Sequence, residues 1–111
     1  MTARKICDEA DIAAIEREGL AAFLPHASPF ALIEAAAQQF PSRPAIRYVV
    51  KPGAPDTDRL LSYSEFAGRI RQAANLFRRL GVGRDDAVAI LAPHVLSTQI
   101  ALWAAEIAGR A

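Results

Sequence analysis

Along this chain the apolar positions recur first at helical spacing, then alternate, then return to helical spacing. Residues 1–24 predict a polar start followed by a helix, with Ile12, Ile15, Leu20 and Phe23 as its apolar positions. Asp8 or Asp11 suits the N-cap, Gly19 interrupts or ends the pattern, and Pro25 stops continuation beyond Leu24. A second helix is expected from Pro29 to Phe40. Ser28 is its cap, and Pro29 occupies the first helical position, where no N–H is needed. Phe30, Ile33, Ala37 and Phe40 mark one face. Pro41 ends it, and Ser42-Arg43-Pro44 is a rigid connector.

The period then shortens. Ala45-Ile46-Arg47-Tyr48-Val49-Val50 carries β-branched and aromatic residues in partial alternation, which predicts a strand. Residues 51–58 hold two prolines, a glycine and two aspartates and form an exposed loop. Arg59-Leu60-Leu61 resumes the strand pattern, so the two strands are expected to pair as an antiparallel hairpin with a long tip. Ser62 and Glu65 stand at capping-box spacing ahead of Phe66, Ile70, Ala73, Phe77 and Leu80 on one helix face. Arg69, Gln72 and Arg79 point to water, and Gly81 suits the left-handed position that ends helices. After the turn at residues 82–86, Ala87-Val88-Ala89-Ile90-Leu91-Ala92 has no polar side chain and predicts a strand covered on both faces. From Ser97 to Gly109 a last helix places Leu96, Ile100, Trp103 and Ile107 on one side. Ala101, Ala104, Ala105 and Ala108 lie on another, where they allow close approach. Strand, helix, strand, helix from Leu61 onward implies a crossover unit in an α/β layered fold. The run stops at residues 109–111 without a following strand, so the expected architecture is a helical leader over residues 1–27 and an incomplete subdomain over residues 28–111.

Composition supports a globular piece: of 111 residues, 52% are hydrophobic and 23% charged. A net charge of +1 gives no long-range attraction to nucleic acid or acidic lipid. Arg69, Arg71, Arg78 and Arg79 cluster on a predicted helix, where a solvated face is the simpler reading than a phosphate contact. The single cysteine, Cys7, excludes an internal disulfide. No secretory signal and no span of 18 or more apolar residues is present, so a cytoplasmic location without a membrane span is expected.

Candidate chemistry is sparse. His26 sits in a connector and His94 follows an apolar strand, where capping or packing competes with a pocket-wall role. The Gly81-Val82-Gly83 run follows a helix and precedes a strand, the reverse of a dinucleotide site. Asp85 and Asp86 are adjacent in a turn and do not make a two-metal site. Glu65 is explained by its cap, and Phe66, Phe77 and Trp103 keep core spacing. No catalytic, cofactor-binding or metal-binding residue is assigned.

The order of several pieces nevertheless resembles the N-terminal part of the adenylate-forming (AMP-binding) enzymes. This family includes acyl-CoA synthetases, luciferases of the firefly type and peptide-synthetase adenylation domains. The pieces are residues 40–46 (Phe-Pro-Ser-Arg-Pro-Ala-Ile), residues 61–66 (Leu-Ser-Tyr-Ser-Glu-Phe), residues 74–83 ending Leu80-Gly81-Val82-Gly83, residues 86–91, and the alanine-rich helix ending at Gly109. Family members often carry Asn after the proline that closes the strand, and here His94 stands in that place. The resemblance is strongest to the acyl-CoA synthetases, fatty-acyl-CoA synthases of fatty acid metabolism among them. It implies a complete enzyme that activates a carboxylic acid with ATP and Mg²⁺ as an acyl-adenylate, then transfers it to coenzyme A. The family's nucleotide loop and its adenylating lysine come later in the chain, so this piece is expected to be inactive alone. Its implied partner is the remainder of its own polypeptide, with self-association through an exposed apolar face as a second possibility. Two alternatives stay open: an adenylation domain that loads a carrier protein, and a non-enzymatic interaction domain.

Overall fold

The computed structural model describes residues 5–24 and 26–109. In chain order they form α1 (Glu9–Glu18), α2 (Leu20–Phe23), α3 (Pro29–Gln39), β1 (Pro44–Tyr48), a 3₁₀ turn (Pro55–Thr57), β2 (Arg59–Ser62), α4 (Tyr63–Arg79) and α5 (Leu96–Ala108). This is an α/β arrangement of helices around a two-stranded antiparallel sheet.

The helix starts follow local chemistry. Asp8 accepts from the Asp11 amide at 3.0 Å, and Ser28 from the Ala31 amide at 3.2 Å. At α4 every early donor has a partner. The Tyr63 amide donates to the Arg43 carbonyl (2.9 Å) and the Ser64 amide to the Pro41 carbonyl (3.1 Å). The Glu65 amide donates to Ser62 Oγ at 3.2 Å, while the Ser62 amide donates to Glu65 Oε2 at 2.9 Å. Orphan N–H groups at a helix start are thereby satisfied, and the helix is locked to the α3–β1 connector. The other end of α4 closes as a Schellman motif. Gly81, at φ +92°, donates to the Arg78 carbonyl, and Val82 donates to the Phe77 carbonyl.

The hairpin pairs Ile46 with Leu61, Arg47 with Leu60 and Tyr48 with Arg59, with a bulge between Pro44 and Ile46. Leu61 and Ile46 face the core, and Leu60 faces water. Leu61, Phe66, Ile70, Ala74 and Ala104 are buried together, and Ile33, Phe77, Ile100, Trp103 and Ile107 pack around them. Ala104, Ala105 and Ala108 are buried on α5, so small side chains let α4 and α5 approach closely.

Three expectations are corrected. Ala87 is a single bridge residue, residues 88–92 form no strand, and Leu91 is fully exposed. A parallel strand needs a neighbour, and among the described residues β1 and β2 pair with each other alone. Leu80 is 71% exposed, because it is the C-cap beyond the last helical residue of α4, and Ile70 takes the deepest position. The first strand ends at Tyr48, leaving Val49 and Val50 exposed where the chain enters its loop.

None of the described residues before Ser28 belongs to the core cluster. Gly19, at φ +78°, splits the leader into α1 and α2, and Ile12, Leu20, Phe23 and Leu24 are exposed. The accessible surface is 8436 Å², against roughly 6,000 Å² for a compact monomer of this mass. The radius of gyration is 17.6 Å, against about 13 Å for a compact chain of this length.

Candidate functional site

The main concavity lies between the hairpin and the start of α5. It is an open hollow of about 460 Å³ lined by Tyr48, Val50, Arg59, Arg69, Ser97 and Ile100 among others. A smaller hollow of about 120 Å³ adjoins it, sharing Tyr48, Val95 and Leu96 and adding Ile46, Arg47 and His94. Sheet residues reach the site because Tyr48 and Arg59 are opposite in the hairpin register. Val95, the N-cap of α5, offers no side-chain cap, and Thr98 instead donates its hydroxyl to the Pro93 carbonyl at 2.6 Å.

The walls are apolar and the rim carries Arg59 and Arg69, so the hollow can accommodate an apolar group beside negative charge. It holds no acid–base pair. Ser97 and His94 line adjoining hollows rather than one, with Ser97 in the larger and His94 in the smaller. His94 lines the smaller hollow and is exposed, which places it at a wall and not at a helix cap.

The other sequence candidates resolve into structural parts. Glu65 closes the capping box. The Ser62 amide above all, then the Ser62 hydroxyl and last the Arg69 charge, hold its carboxyl below the usual value. Asp86 Oδ2 accepts from the Gly83 amide at 2.7 Å, so this carboxylate fixes the turn. His26 and Cys7 are exposed. Arg71 pairs with Glu34 across α3 and α4 at 2.6 Å, and Arg78 reaches the Ile107 carbonyl on α5. Among the described residues no group of three or more His, Cys, Asp or Glu could hold a metal ion.

One pair was not legible in the sequence. Arg47 places Nε and Nη2 each 2.6 Å from Asp58 Oδ2, and the Asp58 side chain is only 6% exposed. Asp58 Oδ1 is buried without a partner. The pair ties the hairpin tip to β1. The two residues stand eleven apart across an irregular loop, and no local pattern announces such a contact.

The fold is an α/β arrangement with an open, largely apolar hollow between the hairpin and α5. The sequence matches the AMP-binding enzyme family over residues 33–111, and the chain belongs to that family. It is 35% identical over 71 residues to the marinolic acid–CoA ligase of Pseudoalteromonas sp. (strain SANK 73390). That alignment covers 64% of this chain and 11% of the ligase, so the chain spans about a tenth of the relative's length. No solved structure matches. No helix among the described residues is long and apolar enough to cross a membrane.

Proposed function

We propose that this chain is the N-terminal scaffold of an ATP-dependent acyl-CoA ligase and is inactive by itself. In this reading residues 1–27 are a leader and residues 28–111 an incomplete subdomain. The observation that carries it is the family match over residues 33–111 on a fold whose concavity lacks reactive groups. The complete enzyme joins a carboxylate to the α-phosphate of ATP, releasing pyrophosphate. The coenzyme A thiol then displaces AMP from the acyl-adenylate. When bound, Mg²⁺ offsets phosphate charge in the first step. The residues described here neither hold the metal nor touch the reacting atoms. Their part is mechanical: α4, α5 and the hairpin form a packed corner on which the reacting segments are mounted.

The exposed apolar residues and expanded dimensions support the reading. The test uses the polypeptide carrying these residues together with the coding sequence that follows Ala111. Acid-dependent pyrophosphate release is measured with acetate, aryl acids and longer fatty acids, alongside loss of free coenzyme A thiol. Pyrophosphate release coupled to thiol loss is expected with at least one acid. Release without thiol loss would point to a carrier protein as acceptor. No release with any acid would overturn the ligase assignment.

A further inference from the structure

We propose that the hollow between the hairpin and α5 binds an oxyanion, carboxylate or phosphate, carried on a short apolar body, with Arg59 and Arg69 holding the charge. Arg59 comes from β2 and Arg69 from α4, so two separate elements bring a guanidinium-bearing side chain to one hollow of about 460 Å³. No Asp or Glu lines that hollow or the smaller one beside it. Among the described residues neither guanidinium has a hydrogen bond or an ion pair. Glu65 lies one turn before Arg69, but its Oε2 accepts from the Ser62 amide at 2.9 Å. Other arginines of the same elements are held: Arg47 by Asp58, Arg71 by Glu34, and Arg78 by Asn75 and the Ile107 carbonyl.

Two positive charges at one hollow, with no carboxylate in its walls, make a site that an anion neutralises. The planar guanidinium fork matches the paired oxygens of a carboxylate or phosphate. The start of α5 adds to the same sign. Its first residues line the hollow, and its N-cap, Val95, brings no side-chain oxygen to the first amides. Val50, Leu96 and Ile100 supply apolar wall, and Tyr48, opposite Arg59 in the hairpin register, adds a ring and a hydroxyl. The volume falls in the range of small-molecule sites, roughly 300–1,000 Å³. The proposal is of binding, with no bond made or broken.

The experiment is an amide NMR titration of the 111-residue chain with hexanoate and with hexyl phosphate. Hexanol tests the apolar body alone, and acetate and inorganic phosphate test the anion alone. At least one hexyl anion should saturate, shifting Tyr48, Arg59, Ser97 and Ile100. The tighter of the two identifies the preferred headgroup. Hexanol and the small anions should each bind at least about tenfold more weakly, since one charge-assisted hydrogen bond supplies that factor. Arg59→Gln and Arg69→Gln should each weaken the anion by about tenfold or more. Both residues are exposed, so the melting temperature should hold. Arg84→Gln, exposed and outside the hollow, should change nothing. Lack of saturation by either hexyl anion would overturn the proposal. So would hexanol binding as tightly, shifts confined to other residues, or affinity unmoved by both hollow variants but lowered by Arg84→Gln. The readout needs no turnover, so this proposal and the ligase reading can fail separately.

Discussion

At the residue scale, polar side chains matter here for geometry. Ser62 and Glu65 satisfy each other's backbone donors, so Ser62→Ala should cost about 1 kcal/mol in a denaturant titration. Glu65 adds a pH dependence. Its carboxyl is held below the ordinary value when folded, so its charge stabilises the fold above the unfolded-state pKa. That contribution fades as pH falls through the lower folded value. The melting-temperature gap between wild type and Glu65→Gln should therefore be open at neutral pH and closed in acid. A constant gap would mean that the charge is not the agent. The two ion pairs differ in depth. Arg71 and Glu34 are both substantially exposed, whereas Asp58 is 6% exposed. Arg71→Ala should change stability by about 1 kcal/mol or less. Arg47→Ala should cost more, because it strands a buried carboxylate. Chemical denaturation of the two variants compares them directly.

At the element scale, helices were legible and the third strand was not. Capping signals and Gly81 mark the two ends of α4, and its apolar spacing identifies Phe66 and Ile70 correctly, because these are local properties of a few neighbouring residues. Phe77 and Leu80 share that spacing, yet they lie near the end of the helix and are only partly covered or exposed. Depth along a helix depends on where its partner lies, which spacing does not encode. Ile70→Ala should accordingly be among the costliest core changes, at roughly 2–5 kcal/mol, and Phe77→Ala less costly than a fully buried phenylalanine. Residues 87–92 have strand chemistry without a ladder, since a strand needs a partner and no single segment specifies one. The hollow was equally out of reach: Tyr48, Arg59 and Ser97 meet only through the hairpin register and the docking of α5. Gly109 is a different case, foreseen as a helix end but not as a contact. A Cβ there would lie 2.8 Å from the Gly83 carbonyl oxygen and 2.9 Å from that of Asp86. Gly109→Ala should lower the melting temperature, whereas Gly68→Ala, with open space at its Cβ, should not.

At the scale of the whole molecule, a packed corner coexists with a surface too large for its mass. The core joins α3, α4, α5 and the hairpin, while the leader, Val49, Val50 and the segment around Leu91 remain bare. Family membership accounts for the order of the elements. The most direct measurement is pyrophosphate release by the purified 111-residue chain, supplied with ATP, Mg²⁺, coenzyme A and a panel of short, aromatic and long-chain acids. The account predicts a rate equal to the protein-free background with every acid. Acid-dependent turnover, reproduced by the protein after further purification, would contradict it.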